Sequence, residues 1–260
     1  MNQQNIFLDI GNTAIDMKIE GKNGTTFQKY SLEQLHSLKE TLAKAHRNQP
    51  MTCYLSSVNL KASEELRSFL GKENIPHFFI DSRIMEEYSI KNHYRIDNIS
   101  YLGSDLFCDI IAVENKTGLI VIDLGTATKV LYLDKDSRFQ GSSILPGIRL
   151  FPKALFQDTS LLDDYPLLPN PPLVSLKTEE CISSGAILGT GYAVNGIVEE
   201  LLKKAPECEI YLTGGNMDYI KDMLKFEGHE VRKNPHLVLD GIKKVFGIKE
   251  EEDERKETRK

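Results

Sequence analysis

One short motif occurs twice in this chain and limits its possible folds more than any other feature. Each copy is an apolar run followed by Asp, any residue, Gly and a nearby threonine, and the copies span residues 6–13 and 119–126. Their aspartates, Asp9 and Asp123, are 114 positions apart. A pattern that recurs at this distance predicts two related halves in one chain.

The residues after each motif indicate what kind of turn it forms. Residues 14–19 alternate apolar and polar side chains, and residues 130–133 are again strand-like. A P-loop would instead open a helix and would carry Gly-Lys-Ser or Gly-Lys-Thr. Each motif therefore predicts a β-hairpin whose turn can bind a phosphate through backbone amides.

Strand-like and helical segments alternate through the rest of the chain, which predicts an α/β layer fold. We expect a helix at 61–70 that ends at Gly71, a polar loop at 83–101, a glycine-rich turn at 141–147 and a long helix at 178–204. A further helix should follow the diglycine at 214–215.

The duplication suggests an N-terminal half at 1–115 and a C-terminal half at 116–248. Residues 249–260 are nearly all charged and have no apolar face, so we expect this tail to be disordered.

Composition narrows the class of function. The net charge of −6 argues against a nucleic-acid surface, which is normally basic. The four cysteines form no CxxC pair, which is typical of buried or semi-buried thiols in a reducing compartment. Residues 1–4 lack the basic and apolar segments of a signal peptide, so we expect neither a signal peptide nor a membrane-spanning stretch. The sequence therefore predicts a soluble cytoplasmic protein that binds a small molecule.

The two aspartates would need a cation if they faced one nucleotide triphosphate. A carboxylate about 4 Å from a phosphate charge is repelled by roughly 4 kcal/mol at an effective dielectric of 20. Mg2+ between Asp9 and Asp123 is the cation that the residues themselves suggest. Thr13 and Thr126 would donate hydrogen bonds to phosphate oxygens.

Taken in order, the motifs of the chain resemble those of the type III pantothenate kinases, within the acetate kinase, sugar kinase, Hsp70 and actin superfamily. The resembling segments are 9–13, 103–105, 123–128, 143–147, Thr178 with 184–185, 212–215 and 237–241. The resemblance implies a duplicated ribonuclease H-like (actin-like ATPase) fold with an ATP cleft between two α/β halves. It also implies phosphorylation of pantothenate by ATP, the first step of coenzyme A synthesis, in a homodimer.

The resemblance also implies roles for single residues. ATP would contact Asp9, Ile10, Gly11, Asn12, Thr13, Ala14, Ile15, Asp16 and Thr126. Pantothenate would contact Tyr94, Gly103, Ser104, Asp105 and Leu106, and Thr178 of the neighbouring subunit. Asp105 would accept the proton of the substrate hydroxyl, chiefly by orienting it for in-line attack. Asp123 would hold a monovalent cation, K+ or NH4+, in contrast to the Mg2+ suggested above.

One position departs from the family pattern. The family motif is Gly-x-Asp-Arg, and Leu106 stands where the arginine belongs. Leucine cannot donate the bidentate hydrogen bonds that arginine offers to an anion. Either another cation, such as Arg95 or Arg149, replaces it in a working kinase, or the chain is a degenerate nucleotide-binding regulatory homologue. Kinase activity on another small hydroxy acid is a third possibility.

Overall fold

The computed structural model describes residues 3–22, 24–160, 162–163 and 165–248. The tail at 249–260, for which we expect disorder, lies outside the described residues. Among the described residues, two compact units can be distinguished: one is formed by residues up to 114 together with residues 237–248, and the other by residues 115–236.

The sheet of the first unit has five strands in the order β3-β2-β1-β4-β5. Strands β1, β2 and β3 form an antiparallel meander, and β4 and β5 run parallel to β1. The strands are β1 (Gln4–Ile10), β2 (Ala14–Gly21), β3 (Gly24–Ser31), β4 (Met51–Ser57) and β5 (His77–Phe79).

Two α-helices alternate with the last three of these strands and two more follow β5: α1 (Leu35–Asn48), α2 (Leu60–Lys72), α3 (Ser82–Lys91) and α4 (Ser104–Ile111). Leucines of α1 and α2 pack with the apolar side chains of β1, β2 and β4 in one core. A capping box precedes α1, in which the Ser31 amide donates to Gln34 Oε1 at 2.9 Å.

Two predictions for this region were wrong. Gly71 lies inside α2, and the turn comes at Asn74, which has a φ of 54° and so takes the left-handed conformation expected of the glycine. The segment predicted as a polar loop from residue 83 contains α3. Asp81 caps that helix by accepting a hydrogen bond from the Ile84 amide at 2.9 Å.

The sheet of the second unit repeats the topology of the first. Its order is β10-β9-β6-β7-β8, again an antiparallel meander with two parallel strands beside its first strand. The strands are β6 (Leu119–Leu124), β7 (Ala127–Leu133), β8 (Phe139–Pro146), β9 (Glu209–Thr213) and β10 (Val231–Lys233). The predicted repeat of an α/β unit is therefore confirmed.

Two predictions were wrong here as well. Residues 141–146 belong to β8 and form no turn, because they pair along β7. After the diglycine the chain forms only a short 3₁₀ helix, Met217–Tyr219, where we expected a longer helix.

Helices α5 (Leu150–Asp158) and α6 (Thr178–Lys204) belong to the second unit. Within the described residues, α6 is long and apolar enough to cross a membrane by length and composition, a property that we did not expect of any stretch. Half of the apolar 18-residue stretch of α6 is buried inside the protein. Ala186, Val194 and Val198 lie in the core of the second unit. These contacts are those of a core helix.

The last described helix, α7 (Leu237–Val245), follows the second unit in sequence but belongs to the first. A side chain at Gly241 would overlap the backbone of Cys108, so glycine permits the close approach of α7 to α4. Lys18 of β2 pairs with Asp240 at 3.0 Å, and Lys243 pairs with Glu20 at 2.9 Å. The placement of residues 237–245 in the C-terminal half, made from chain order alone, differs from this packing.

Candidate functional site

The first hairpin joins β1 to β2 through residues 11–13. The Gly11 amide donates to the Ala14 carbonyl at 3.0 Å, and Asn12 and Thr13 are exposed at the tip. Ile10 and Ile15 are fully buried in the core. Of the residues expected to contact ATP, these two can therefore offer only their backbone.

The carboxylates of this hairpin lie side by side. Asp9 is the cross-strand partner of Asp16, so their side chains lie on the same face of the sheet. Like charges in this position repel each other. Lys29 offsets part of that charge by pairing with Asp16 at 2.9 Å.

Ser56 connects this hairpin to the start of α4. It is the neighbour of Asp9 on the parallel strand β4, and its hydroxyl lies 2.9 Å from that of Ser104. The Ser104 hydroxyl also accepts a hydrogen bond from the Ser57 amide at 3.0 Å. Ser104 is therefore engaged in holding α4 against the end of β4.

Asp105 lies half-buried in the first turn of α4, where its Oδ1 accepts from the Leu106 amide at 2.8 Å. A Cβ on Gly103 would overlap the same oxygen, so a larger residue at 103 would shift the carboxylate from this position. Burial raises the pKa of the adjacent Cys108 thiol, and the negative charges of Asp9, Asp109 and Asp105 raise it further. Ser56 is the strand neighbour of Asp9 and contacts Ser104, the residue before Asp105, so Asp9 and Asp105 lie at the same end of the first sheet.

Tyr94 belongs to the same region of the first unit. Its ring lies 6.3 Å from that of Tyr88, which packs edge-on against Phe107 of α4 at 5.9 Å. Burial raises the pKa of Tyr94, and the charge of Glu114 adds to the effect. Arg95, one of the two candidates to replace the family arginine, is exposed.

Leu106 is only 9% exposed. At the position of the family arginine, the chain therefore has an apolar side chain that packs into the protein.

The second hairpin is held by contacts that the sequence did not reveal. Asn216 donates from its backbone to the Leu124 carbonyl at 2.9 Å and from its side chain to the Gly125 carbonyl at 2.8 Å. Arg149 in turn donates to Asn216 Oδ1 at 2.9 Å. Thr126 is exposed at the turn, and its carbonyl oxygen lies where a Cβ on Gly147 would be.

Asp123 is buried, 7% exposed, and its carboxylate has a partner from the same hairpin. Lys129 is its cross-strand neighbour, and Lys129 Nζ lies 2.7 Å from Asp123 Oδ2. The monovalent cation that the resemblance implies does not fit this arrangement, because an ammonium group already neutralises the carboxylate. Lys129 could have been found from the hairpin register, which pairs residues 123 and 129.

Thr178 is exposed as the first residue of α6 in the second unit. In the described part of the chain, no cluster of three or more His, Cys, Asp or Glu side chains could hold a metal ion. Mg2+ usually needs no such cluster, because one or two carboxylates and the phosphates of a nucleotide hold it.

The family model of the type III pantothenate kinases matches residues 5–200 of this chain. The chain belongs to that family. A type III pantothenate kinase of Azoarcus sp. is 29% identical over 245 residues, which cover 91% of this chain and 88% of the relative. Membership in a kinase family implies ATP as the phosphoryl donor.

Solved structures support the fold that the family implies. A protein of Campylobacter jejuni described as a Baf family transcriptional activator is similar with a TM-score of 0.59 at 20% identity, covering 93% of this chain and 97% of that one. Ta0583, an archaeal actin homologue, is similar with a TM-score of 0.50 at 13% identity, covering 96% and 100%. Together with the two repeated sheets, they confirm the predicted duplicated ribonuclease H-like fold.

Proposed function

We propose that this enzyme transfers the γ-phosphoryl group of ATP to pantothenate and forms 4'-phosphopantothenate, the first step of coenzyme A biosynthesis. The family match over residues 5–200 carries the proposal. The joint placement of Asp9, Ser56 and Asp105 at one end of the first sheet supports it. Such a role would place the enzyme in the cytoplasm, with no membrane or nucleic acid as a partner.

ATP would contact the backbone of the first hairpin and the hydroxyls of Thr13 and Thr126. Backbone amides of a tight turn suit an anion, and glycine at position 11 lets the phosphate approach closely. Asp9 would hold the Mg2+ that accompanies the phosphates. When bound, that ion would neutralise the charge that develops during transfer.

Asp105 would accept a hydrogen bond from the pantothenate hydroxyl and would thereby direct the hydroxyl oxygen towards the γ-phosphate. A carboxylate is a weak base, so orientation is its main contribution. The contact with the Leu106 amide fixes the carboxylate before substrate arrives. Pre-organisation of this kind lowers the entropy cost of reaching the reactive geometry.

Pantothenate would lie beside Tyr94 and the segment from Gly103 to Leu106. Its own carboxylate needs a cation, which Leu106 cannot supply. Of the two candidates, Arg149 already donates to Asn216, whereas Arg95 is exposed next to Tyr94. We assign the recognition of the substrate carboxylate to Arg95.

The enzyme would act as a homodimer in which Thr178 completes the pantothenate site of the neighbouring subunit. Large apolar side chains are exposed on α5, on α6 and between them: Leu150, Phe151, Phe156, Leu173, Val174, Leu176 and Tyr192. A second copy of the chain would cover them, since monomers rarely expose extended apolar patches.

A coupled assay of ADP release, with pantothenate as the acceptor, tests this function. We expect ADP release that depends on pantothenate and ATP binding that is measurable by calorimetry without it. ATP binding without turnover would instead favour a nucleotide-binding regulator that does not phosphorylate pantothenate. Turnover only with another small hydroxy acid would keep the kinase and change its substrate.

A further inference from the structure

The carboxylate of Asp123, near the end of β6, is paired with a positive charge that belongs to the chain itself. Asp123 and Lys129 face each other across the β6–β7 pair, and their side chains are only 10% and 15% exposed. Lys129 Nζ lies 2.7 Å from Asp123 Oδ2. A buried carboxylate needs a compensating partner, and this hairpin provides one by its register.

The other oxygen of Asp123 is enclosed by backbone. Gly214 has a φ of +94°, and a Cβ at that residue would come within 2.6 Å of Asp123 Oδ1. A Cβ on Gly125 would lie 3.4 Å from the same oxygen. The carboxylate therefore sits between a glycine turn and the ammonium of Lys129.

A free monovalent cation would have to share this carboxylate with Lys129 or displace it. Sharing would place two positive charges beside one negative group in a poorly solvated position, where their repulsion is strong. Displacement would leave an ammonium group partly buried and without its partner. Both costs act against the capture of K+ or NH4+ from solution.

The ammonium of Lys129 can do what a bound monovalent cation would do at this position. It carries the same single positive charge and contacts the same kind of oxygen ligand. Because Lys129 belongs to the same hairpin as Asp123, the local concentration of its ammonium group beside the carboxylate does not depend on the salt in solution. It neutralises Asp123 beside the turn that would meet the phosphates of ATP.

We propose that Lys129 replaces the monovalent cation at Asp123, so that this enzyme binds ATP without a requirement for K+ or NH4+. The inference rests on the proposed function, because it concerns the nucleotide site. It distinguishes this chain from the cation dependence that its family resemblance implies.

Calorimetric titration of the full chain with the magnesium complex of a non-hydrolysable ATP analogue tests the proposal. Titrations in choline chloride and in KCl, at equal ionic strength, should give dissociation constants that agree within about twofold for the wild-type protein. A gain of about tenfold or more in KCl, the usual size of coupling between linked sites, would overturn the proposal.

The variant Lys129→Gln removes the charge and keeps a polar side chain of similar length. We expect its analogue affinity to fall by about tenfold in choline chloride and to recover in KCl or NH4Cl, because a free cation can then reach Asp123. Lys203→Gln, which removes an exposed partner of Glu200 in the same unit, should behave like the wild type in both salts. A Lys129→Gln protein that folds but is indifferent to K+ would contradict the proposal.

Melting temperatures in the same two salts, without nucleotide, give a second readout. KCl should stabilise Lys129→Gln and leave the wild type and Lys129→Arg unchanged relative to choline chloride. If the Gln variant does not fold, the wild-type salt comparison still decides. Salt-independent binding of the analogue without pantothenate turnover would reject the proposed function and retain the role of Lys129, whereas no binding in either salt would reject both.

Discussion

At the position of the family arginine, Leu106 is packed into the first unit and is 9% exposed. The helix that carries it begins with Ser104 bound to Ser56 and with Asp105 bound to the Leu106 amide. A long charged side chain at residue 106 would have to leave this buried position or bring its charge into the interior of the protein. Leu106 is therefore packed into the protein, and we propose that other side chains recognise the anion of the substrate.

Replacement of Leu106 tests this reading. Leu106→Arg should lower the free energy of unfolding by roughly 1–3 kcal/mol, because a polar group would be buried without a partner. Leu106→Met, which conserves volume, should cost less than about 1.5 kcal/mol. Urea unfolding measures both values. An arginine variant as stable as the wild type, with a lower KM for pantothenate, would show that residue 106 still faces the substrate.

At the scale of elements, the β6–β7 hairpin is held from two sides. Asn216 bonds the Leu124 and Gly125 carbonyls, and the backbone at Gly147 lies against the Thr126 carbonyl. The position of the turn is therefore set by Gly147, 21 residues after Thr126, and by Asn216, 91 residues after Gly125. Substitutions at these two residues should therefore change the affinity for the nucleotide.

Gly147→Ala should displace the turn, because the added Cβ would overlap the Thr126 carbonyl oxygen. We expect ATP affinity to fall by about tenfold, equivalent to about 1.4 kcal/mol. Gly71→Ala is the matched control, since that glycine lies in α2 with open space around it. It should stabilise the protein by about 0.5–1 kcal/mol and leave ATP affinity unchanged. Equal ATP affinity in both variants would contradict the proposed support of the hairpin.

The sequence predicted correctly those strands and helices whose formation depends mainly on residues close in sequence. The hairpin strands and the bounds of α6 follow from alternation and from helical periodicity. Helix α3 was missed because its buried residues are only Met85 and Ser89, too few for a visible apolar stripe. Strand β8 was missed because its Gly, Ser and Pro residues are typical of a turn, and pairing with β7 overrides that preference.

For the candidate site, the motif residues were visible in the sequence and their partners were not. Asp105 and the two hairpins follow from short motifs. Asn216, Arg149 and Lys129 act through contacts with residues that are distant in sequence or opposite in the sheet. The position of α7 is likewise set by its ion pairs with β2 and its close contact with α4.

At the scale of the whole molecule, two units of the same sheet topology each carry one hairpin. The second unit also exposes the apolar side chains on α5 and α6 that we assign to the homodimer. On α6, Tyr192 is 57% exposed and follows Gly185 and Gly189 on the exposed side of the helix. Small residues around one aromatic side chain suit close contact with a second helix.

Tyr192→Asp should convert the proposed dimer to a monomer, because it places a charge in an apolar interface. Light scattering coupled to size-exclusion chromatography measures this change. Since Thr178 would be lost from the neighbouring site, KM for pantothenate should rise by about tenfold while ATP affinity stays within about twofold. A monomeric wild-type protein, or a dimeric variant with unchanged KM, would contradict the composite site.

Mass spectrometry of the reaction products tests most directly whether this chain phosphorylates pantothenate. With MgATP and pantothenate, we predict a phosphorylated pantothenate formed in equal amount to ADP. Asp105→Asn should lower kcat by roughly 10²- to 10⁴-fold with ATP binding retained, and Asp136→Asn, in an exposed turn, should match the wild type. Release of ADP without phosphorylated pantothenate, or full activity in Asp105→Asn, would contradict the proposed function or the role of Asp105.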